Sequence, residues 1–285
     1  MTMGKKAIQF KRERDFNDLI SHTFDFIKQE YKTLGKALLT YAGPFVLITA
    51  FLGAMYQSGL YSDPDTFNND NPLNMLGNIY STQYFLFMLG SIISNVVLMS
   101  VVYSYIFLYV SKGKDGFGQD EISGLVIKNF VPVLFMLLVM SFMIGFGFIF
   151  IIIPGIYLAV VFSLVIYAKF TEDLSFGDAI NRSMYLIKDN WWFTFGVLIV
   201  IYMIAAFSGS IFLIPQIVLS TFYTISMVSG DFEGASMFFT IVSVVGTFAS
   251  TLLYSIVYIT ITFIYYSQIE KKENPGLMGK IEGIE

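Results

Sequence analysis

The 285-residue chain has no cysteine, a single histidine and only 13% charged residues, and each scarcity removes a class of function. Without cysteine there is no disulfide framework, no thiolate nucleophile and no cysteine-ligated metal. One histidine cannot build a metal cage, forms no HExxH pair and leaves no imidazole in an apolar segment to activate a serine. No Asp or Glu falls inside a long apolar segment, so an intramembrane carboxylate dyad and the usual markers of an ion or proton pathway are missing too. The glycine-rich stretch from Lys112 to Gly118 lacks the strand-then-helix setting of a phosphate loop. No catalytic residue, metal, cofactor or nucleic-acid partner is expected. The chain also opens without an early apolar run ending in a small-residue cleavage site, so its first apolar segment is expected to act as an uncleaved insertion signal.

What the chain has in abundance is apolar surface, with 55% hydrophobic residues and a mean hydropathy of +0.67. Apolar segments run at 37–56, 84–110, 131–153, 154–170, 192–214 and 237–266. Each approaches or exceeds the roughly 20 residues that cross a hydrocarbon core as a helix. The expected fold is an all-α integral membrane protein with six transmembrane helices and cytoplasmic amphipathic helices. It reads as a single membrane domain over 1–285, with an amphipathic segment at 1–36, the bundle at 37–266 and a tail at 267–285. The third and fourth segments are nearly continuous, and either Pro154-Gly155 or the earlier Gly145 and Gly147 can supply the turn.

All 17 Lys and Arg residues lie in the N-terminal segment, the second-to-third and fourth-to-fifth connections, and the tail. The alternate connections, 57–83 and 216–236, contain Asp63, Asp65, Asp70, Asp231 and Glu233 and no basic residue. By the positive-inside rule, both termini and the basic connections face the cytoplasm. Tyr41, Tyr109, Tyr167, Trp191, Trp192, Tyr265 and Tyr266 stand near segment ends, where interfacial aromatic belts form.

The basic blocks also repeat. Phe16, Leu19, Ile20, Phe24, Ile27, Tyr31 and Leu34 recur at helical spacing, which predicts an amphipathic helix lying on the membrane surface or packed under the bundle. Phe16, Asp18, Ile20, Thr23, Phe24, Phe26, Ile27, Lys28 and Tyr31 align without a gap on Phe176, Asp178, Ile180, Ser183, Met184, Leu186, Ile187, Lys188 and Trp191. His22 takes the place of Arg182 and reads as a solvated residue. A shorter version, with Phe117, Asp120, Ile122, Ile127, Lys128 and Phe130, precedes the third segment, and Pro154 and Pro215 follow at similar distances. The expectation is a threefold helix-hairpin repeat, each unit an amphipathic helix, a span, an outer turn and a span.

Within 151–200, Pro154 and Gly155 open a span, Glu172 follows it, Asp178, Ala179, Arg182 and Ser183 lie in the next helix, and Trp191 and Trp192 open another span. This order resembles the membrane domain found beside glycerophosphoryl diester phosphodiesterases and the related YciC-like inner-membrane proteins. The resemblance implies a multi-pass protein of the bacterial cytoplasmic membrane. In that family the phosphodiesterase activity belongs to a separate soluble barrel that uses histidines and a metal-binding carboxylate cluster. These 285 residues contain no such barrel and only His22, so the hydrolytic activity is not carried over.

Two groups of residues remain as candidate sites. Asn95, with Ser91, Ser94 and Ser100 on its helix, and the hydroxyl-rich sixth segment including Ser250 and Tyr254 either let helices pack closely or line a path for a headgroup or small solute. Glu172, Asp178 and Arg182 form a charged patch beside the membrane, with Asp178 and Arg182 at ion-pair spacing on a helix. The leading functional expectation is a non-enzymatic accessory or scaffold protein in envelope or lipid homeostasis. Its partners would be membrane lipids, other membrane proteins or a second copy. The alternative is a transporter or lipid-translocating protein for neutral or lipid-like cargo. An enzyme would require a partner chain to supply the chemistry.

Overall fold

Long apolar runs in a solvent without water must satisfy their backbone groups internally, and a helix does so within one segment. The computed structural model describes residues 8–60, 77, 80–150, 152–229 and 237–273, and no strand occurs among them. The helices are α1 (Phe16–Ala37), α2 (Gly43–Leu60), α3 (Thr82–Lys112), α4 (Gln119–Phe150), α5 (Ile152–Phe162), α6 (Val165–Glu172), α7 (Phe176–Ile187), α8 (Trp191–Ser229), α9 (Met237–Leu253) and α10 (Ser255–Glu273). A π-helical stretch, Leu38–Ala42, joins α1 to α2. Six helical stretches are long and apolar enough to cross a membrane. The chain is an all-α, multi-pass membrane protein, as the hydropathy pattern predicts.

Span ends depart from hydropathy in three places. α4 ends at Phe150 and α5 begins at Ile152, between the two candidate breakers, and Pro154 sits in the first turn of α5, where its missing N–H costs nothing. Gly147 and Gly155 instead allow the α4–α5 hairpin to close, since a Cβ on Gly147 would stand 2.8 Å from the Gly155 Cα. Pro215, matched to Pro154 in the expected repeat, lies inside α8, which continues to Ser229 through much of the expected 216–236 connection. The last helix runs to Glu273, and Ser267 and Gln268 are buried within it. The acidic residues Asp63, Asp65, Asp70, Asp231 and Glu233 lie outside the described residues.

Contacts divide the chain into two compact units. Unit 1 comprises Met1–Leu38, Met99–Ile204 and Ser255–Glu285, and unit 2 comprises Leu39–Leu98 and Ala205–Tyr254. The boundaries at 38 and 254 coincide with the π-helical stretch and with the break between α9 and α10. Every Lys and Arg among the described residues belongs to unit 1.

In unit 2, α2 packs along α9, and Thr49 and Ser94 join α2 to α3 by a 2.6 Å hydroxyl contact. In unit 1, α1 packs on α10, α4 on α5, and α6 on α7. The buried stripe of α1 is Leu19, Thr23, Phe26, Glu30, Leu34 and Ala37, which is rotated from the face expected from apolar residues alone. Tyr31, assigned to that face, is 60% exposed. Two polar residues in the stripe hid it from a purely apolar count.

The aligned helices α1 and α7 share local features. Asp15 and Ser175 each cap their helix by accepting from the N–H of Asp18 or Asp178, three residues on. Leu19 and Ala179, Thr23 and Ser183, and Phe26 and Leu186 are buried at equivalent positions. The middle block differs, because α4 begins at Gln119 and runs unbroken into the span, with Ile127 75% exposed.

Candidate functional site

The charged patch of unit 1 forms through helix ends rather than along one helix. Arg182, on α7, donates from Nε to Glu172 at the end of α6 at 2.8 Å, and its other nitrogens bond both carboxylate oxygens of Glu273 at the end of α10. Tyr265 donates to the same Glu172 oxygen and accepts from Thr171 Oγ1 at 2.9 Å. Hydrogen bonding to Glu273, and then to Glu172, raises the Arg182 pKa against the opposing effect of burial. The expected Asp178–Arg182 pair is absent among the described residues: Asp178 instead accepts from Ser175 Oγ at the N-terminus of its own helix. The Arg182 side chain is drawn to two carboxylates, so Glu172 and Arg182 come together and Asp178 does not join them. The ends of α6 and α10 are tied to the middle of α7 by this network.

Two buried ionic residues were not singled out in the sequence. Glu30 is 1% exposed; it pairs with Lys114 at 3.0 Å and accepts from Tyr105 at 2.8 Å and Thr33 at 2.9 Å. Glu30 raises the pKa of Lys114 by hydrogen bonding to its ammonium. The detectable signal was an acid recurring at apolar spacing in α1. Arg14, also buried, donates from its side chain to the Phe10 and Arg12 carbonyls, lies 4.8 Å over the Phe263 ring, and donates from its backbone N–H to Ser267 Oγ at 2.9 Å. Burial, with Arg12 adding repulsion, pulls its pKa down to about 10. Phe10 stacks on Phe263 at 4.3 Å, so the segment before α1 is anchored by aromatic and cationic contacts together. Tyr109, Tyr167, Tyr265 and Tyr266, read above as belt residues, are core residues here, whereas Trp192 is largely exposed.

A cleft of about 650 Å³ opens in unit 1 among α3, α4, α5, α6, α8 and α10. Its walls include Met99, Leu137, Ile144, Val160, Leu198 and Ile261, and its polar groups come from Tyr103, Ser141, Ser163, Tyr202 and Tyr258. None of its lining residues is charged. Its size falls in the range of roughly 300–1,000 Å³ usual for small-molecule sites.

The candidate polar face lies in unit 2 and takes no part in that cleft. Asn95 is half-buried and donates from Nδ2 to the Ser91 carbonyl at 2.9 Å, one turn back on α3. Ser250, nearly buried, donates to the Thr247 carbonyl at 3.1 Å and stands beside Gly209 of α8. Tyr254 is 37% exposed at the break between α9 and α10. None of the three borders the cleft or the smaller cavities of unit 1. Among the described residues, no group of His, Cys, Asp or Glu is arranged to hold a metal ion. Comparison with family models, with curated proteins and with solved structures returns no match.

Proposed function

We propose that the chain is a non-enzymatic accessory protein of the bacterial cytoplasmic membrane, acting in lipid or envelope homeostasis by holding lipid in the cleft of unit 1. The cleft carries this reading. An uncharged, apolar-walled opening in a protein with six membrane-crossing helices suits an acyl chain and disfavours a charged solute, which would find no partner there. The strongest ionic groups support the same reading, because Glu30, Arg14, Arg182, Glu172 and Glu273 are all engaged in contacts within the protein. Cytoplasmic placement of both termini is supported by the confinement of all described basic residues to unit 1 and by the absence of Lys and Arg from 57–83 and 216–236 of the sequence.

Purification in native-lipid particles followed by native mass spectrometry tests the proposal. Lipid retained at a defined stoichiometry is expected, and Ala159→Trp, which fills the cleft from α5, should reduce it. Loss of all lipid from the folded wild-type protein, or turnover of a lipid substrate by it, would overturn the reading.

A further inference from the structure

One residue of the cleft is left unexplained by an acyl chain alone. Tyr103 is 1% exposed, with its ring enclosed by Tyr167 at 5.0 Å, Phe170 at 5.8 Å and Tyr258 at 6.0 Å between centroids. Its neighbours in the aromatic layer use their hydroxyls, as Tyr167 does in donating to Tyr266 at 3.2 Å. The Tyr103 hydroxyl meets no hydrogen-bond partner among the described residues, although the side chain lines the cleft. The phenol faces a cleft walled mainly by apolar side chains, where an acceptor brought by a ligand would meet it.

We propose that the cleft takes an acyl chain of a glycerolipid by its ester end, with the Tyr103 hydroxyl donating to the ester carbonyl oxygen; this rests on the reading of the cleft as a lipid site. An ester suits the lining because it brings acceptors and no donor, leaving no new polar hydrogen unpaired in the cleft. A fatty-acid carboxylate or a phosphate would bring a charge where no cationic side chain lines the wall. A plain hydrocarbon would leave the phenol unmatched. The walls above and below Tyr103, from Met99 to Ile261, then accommodate the chain itself.

The test compares two lipids on the purified full-length protein in detergent: a diacyl phosphatidylethanolamine and its dialkyl ether analogue of equal chain length, which lacks both carbonyls. Binding is read by native mass spectrometry across a titration. The wild-type protein should prefer the ester lipid by about fivefold, the equilibrium factor of one hydrogen bond of ordinary net strength. Tyr103→Phe should bind both lipids equally at the level of the ether lipid, and Ala159→Trp should weaken both. Equal binding of the two lipids by the wild-type protein would overturn the ester contact and leave the cleft reading standing. Binding of neither lipid, or undiminished binding by folded Ala159→Trp, would overturn the cleft reading itself. The ester and ether comparison on the wild-type protein decides the inference even where a variant fails to fold.

Discussion

Replacing Lys114 by Met separates a structural ion pair from a decorative one. Glu30 is 1% exposed and Lys114 is 34% exposed, so the pair stands between two well-characterised limits. Breaking a fully buried pair costs about 3–5 kcal/mol, because a charge is left without compensation in a poor solvent. Breaking a surface pair costs at most about 1 kcal/mol. Here Tyr105 and Thr33 still satisfy one Glu30 oxygen after the substitution, and water reaches the Lys114 side. The expected cost of Lys114→Met is therefore about 1–2 kcal/mol. Glu30→Gln retains an acceptor for Tyr105 and Thr33 and should cost a similar amount by removing the charge. The double variant should cost clearly less than the sum, with a coupling of about 1 kcal/mol or more. The measurement is reversible unfolding in mixed micelles, run as a double-mutant cycle. Because the Lys114 pKa is raised above its ordinary value of 10.5, its contribution is complete below that pH and is lost as pH rises through the higher folded value. The coupling should be flat between pH 7 and 9. A coupling below about 0.3 kcal/mol, within the scatter of independent sites, would refute the claim that this contact fastens the α3–α4 connection to α1.

Other substitutions probe separate parts of the molecule. Gly155→Leu should destabilise the α4–α5 hairpin by about 1–3 kcal/mol in the same unfolding assay, since the Phe148 ring and backbone N occupy the space, while Gly145→Ala, which meets nothing, should be neutral or stabilising. Asp173 adopts a left-handed conformation at the end of α6, and its carboxyl is held below the ordinary range by Lys169 and then Lys128. Its small stabilising contribution should be present at neutral pH and disappear as pH falls through that depressed value, and Asp173→Asn should remove the acid dependence while tolerating the backbone. Asn95→Leu should cost about 1 kcal/mol or less, the usual value for an intramembrane hydrogen bond, and a larger loss would show that Asn95 does more than help helices pack. Cysteines at Ser62 and Ser229 should react with an impermeant reagent in intact spheroplasts and one at Ser111 should not; the reverse pattern would invert the topology.

The spans were legible because lipid leaves few alternatives for a long apolar run. Their ends were not, for identifiable reasons. Pro215 resembles a stop signal in sequence, yet a helix in an apolar setting tolerates proline where neighbours satisfy the freed carbonyl, and α8 continues past it. Glycines at 145 and 147 look equivalent on the page, and only the close approach to Gly155 distinguishes the second. Within the candidate patch, Glu172 and Arg182 were found by charge density, but their partner Glu273 lies 91 residues from Arg182 and carries no local signal. The α1 face was misplaced because Thr23 and Glu30 occupy apolar positions, with Thr23 bonding Thr260 at 3.1 Å and Glu30 meeting a lysine and a tyrosine from elsewhere in the chain. The cleft was invisible for the same reason, since its lining comes from six helices spread between Met99 and Ile261.

An experimental map of the protein in a lipid nanodisc would test the lipid-site reading most directly. Elongated density should fill the space between Leu137, Val160 and Leu198, with its polar end within about 3 Å of the Tyr103 hydroxyl, the length of a hydrogen bond. A cleft closed by its own side chains, or one holding only ordered water, would contradict the proposal that this protein works by holding lipid.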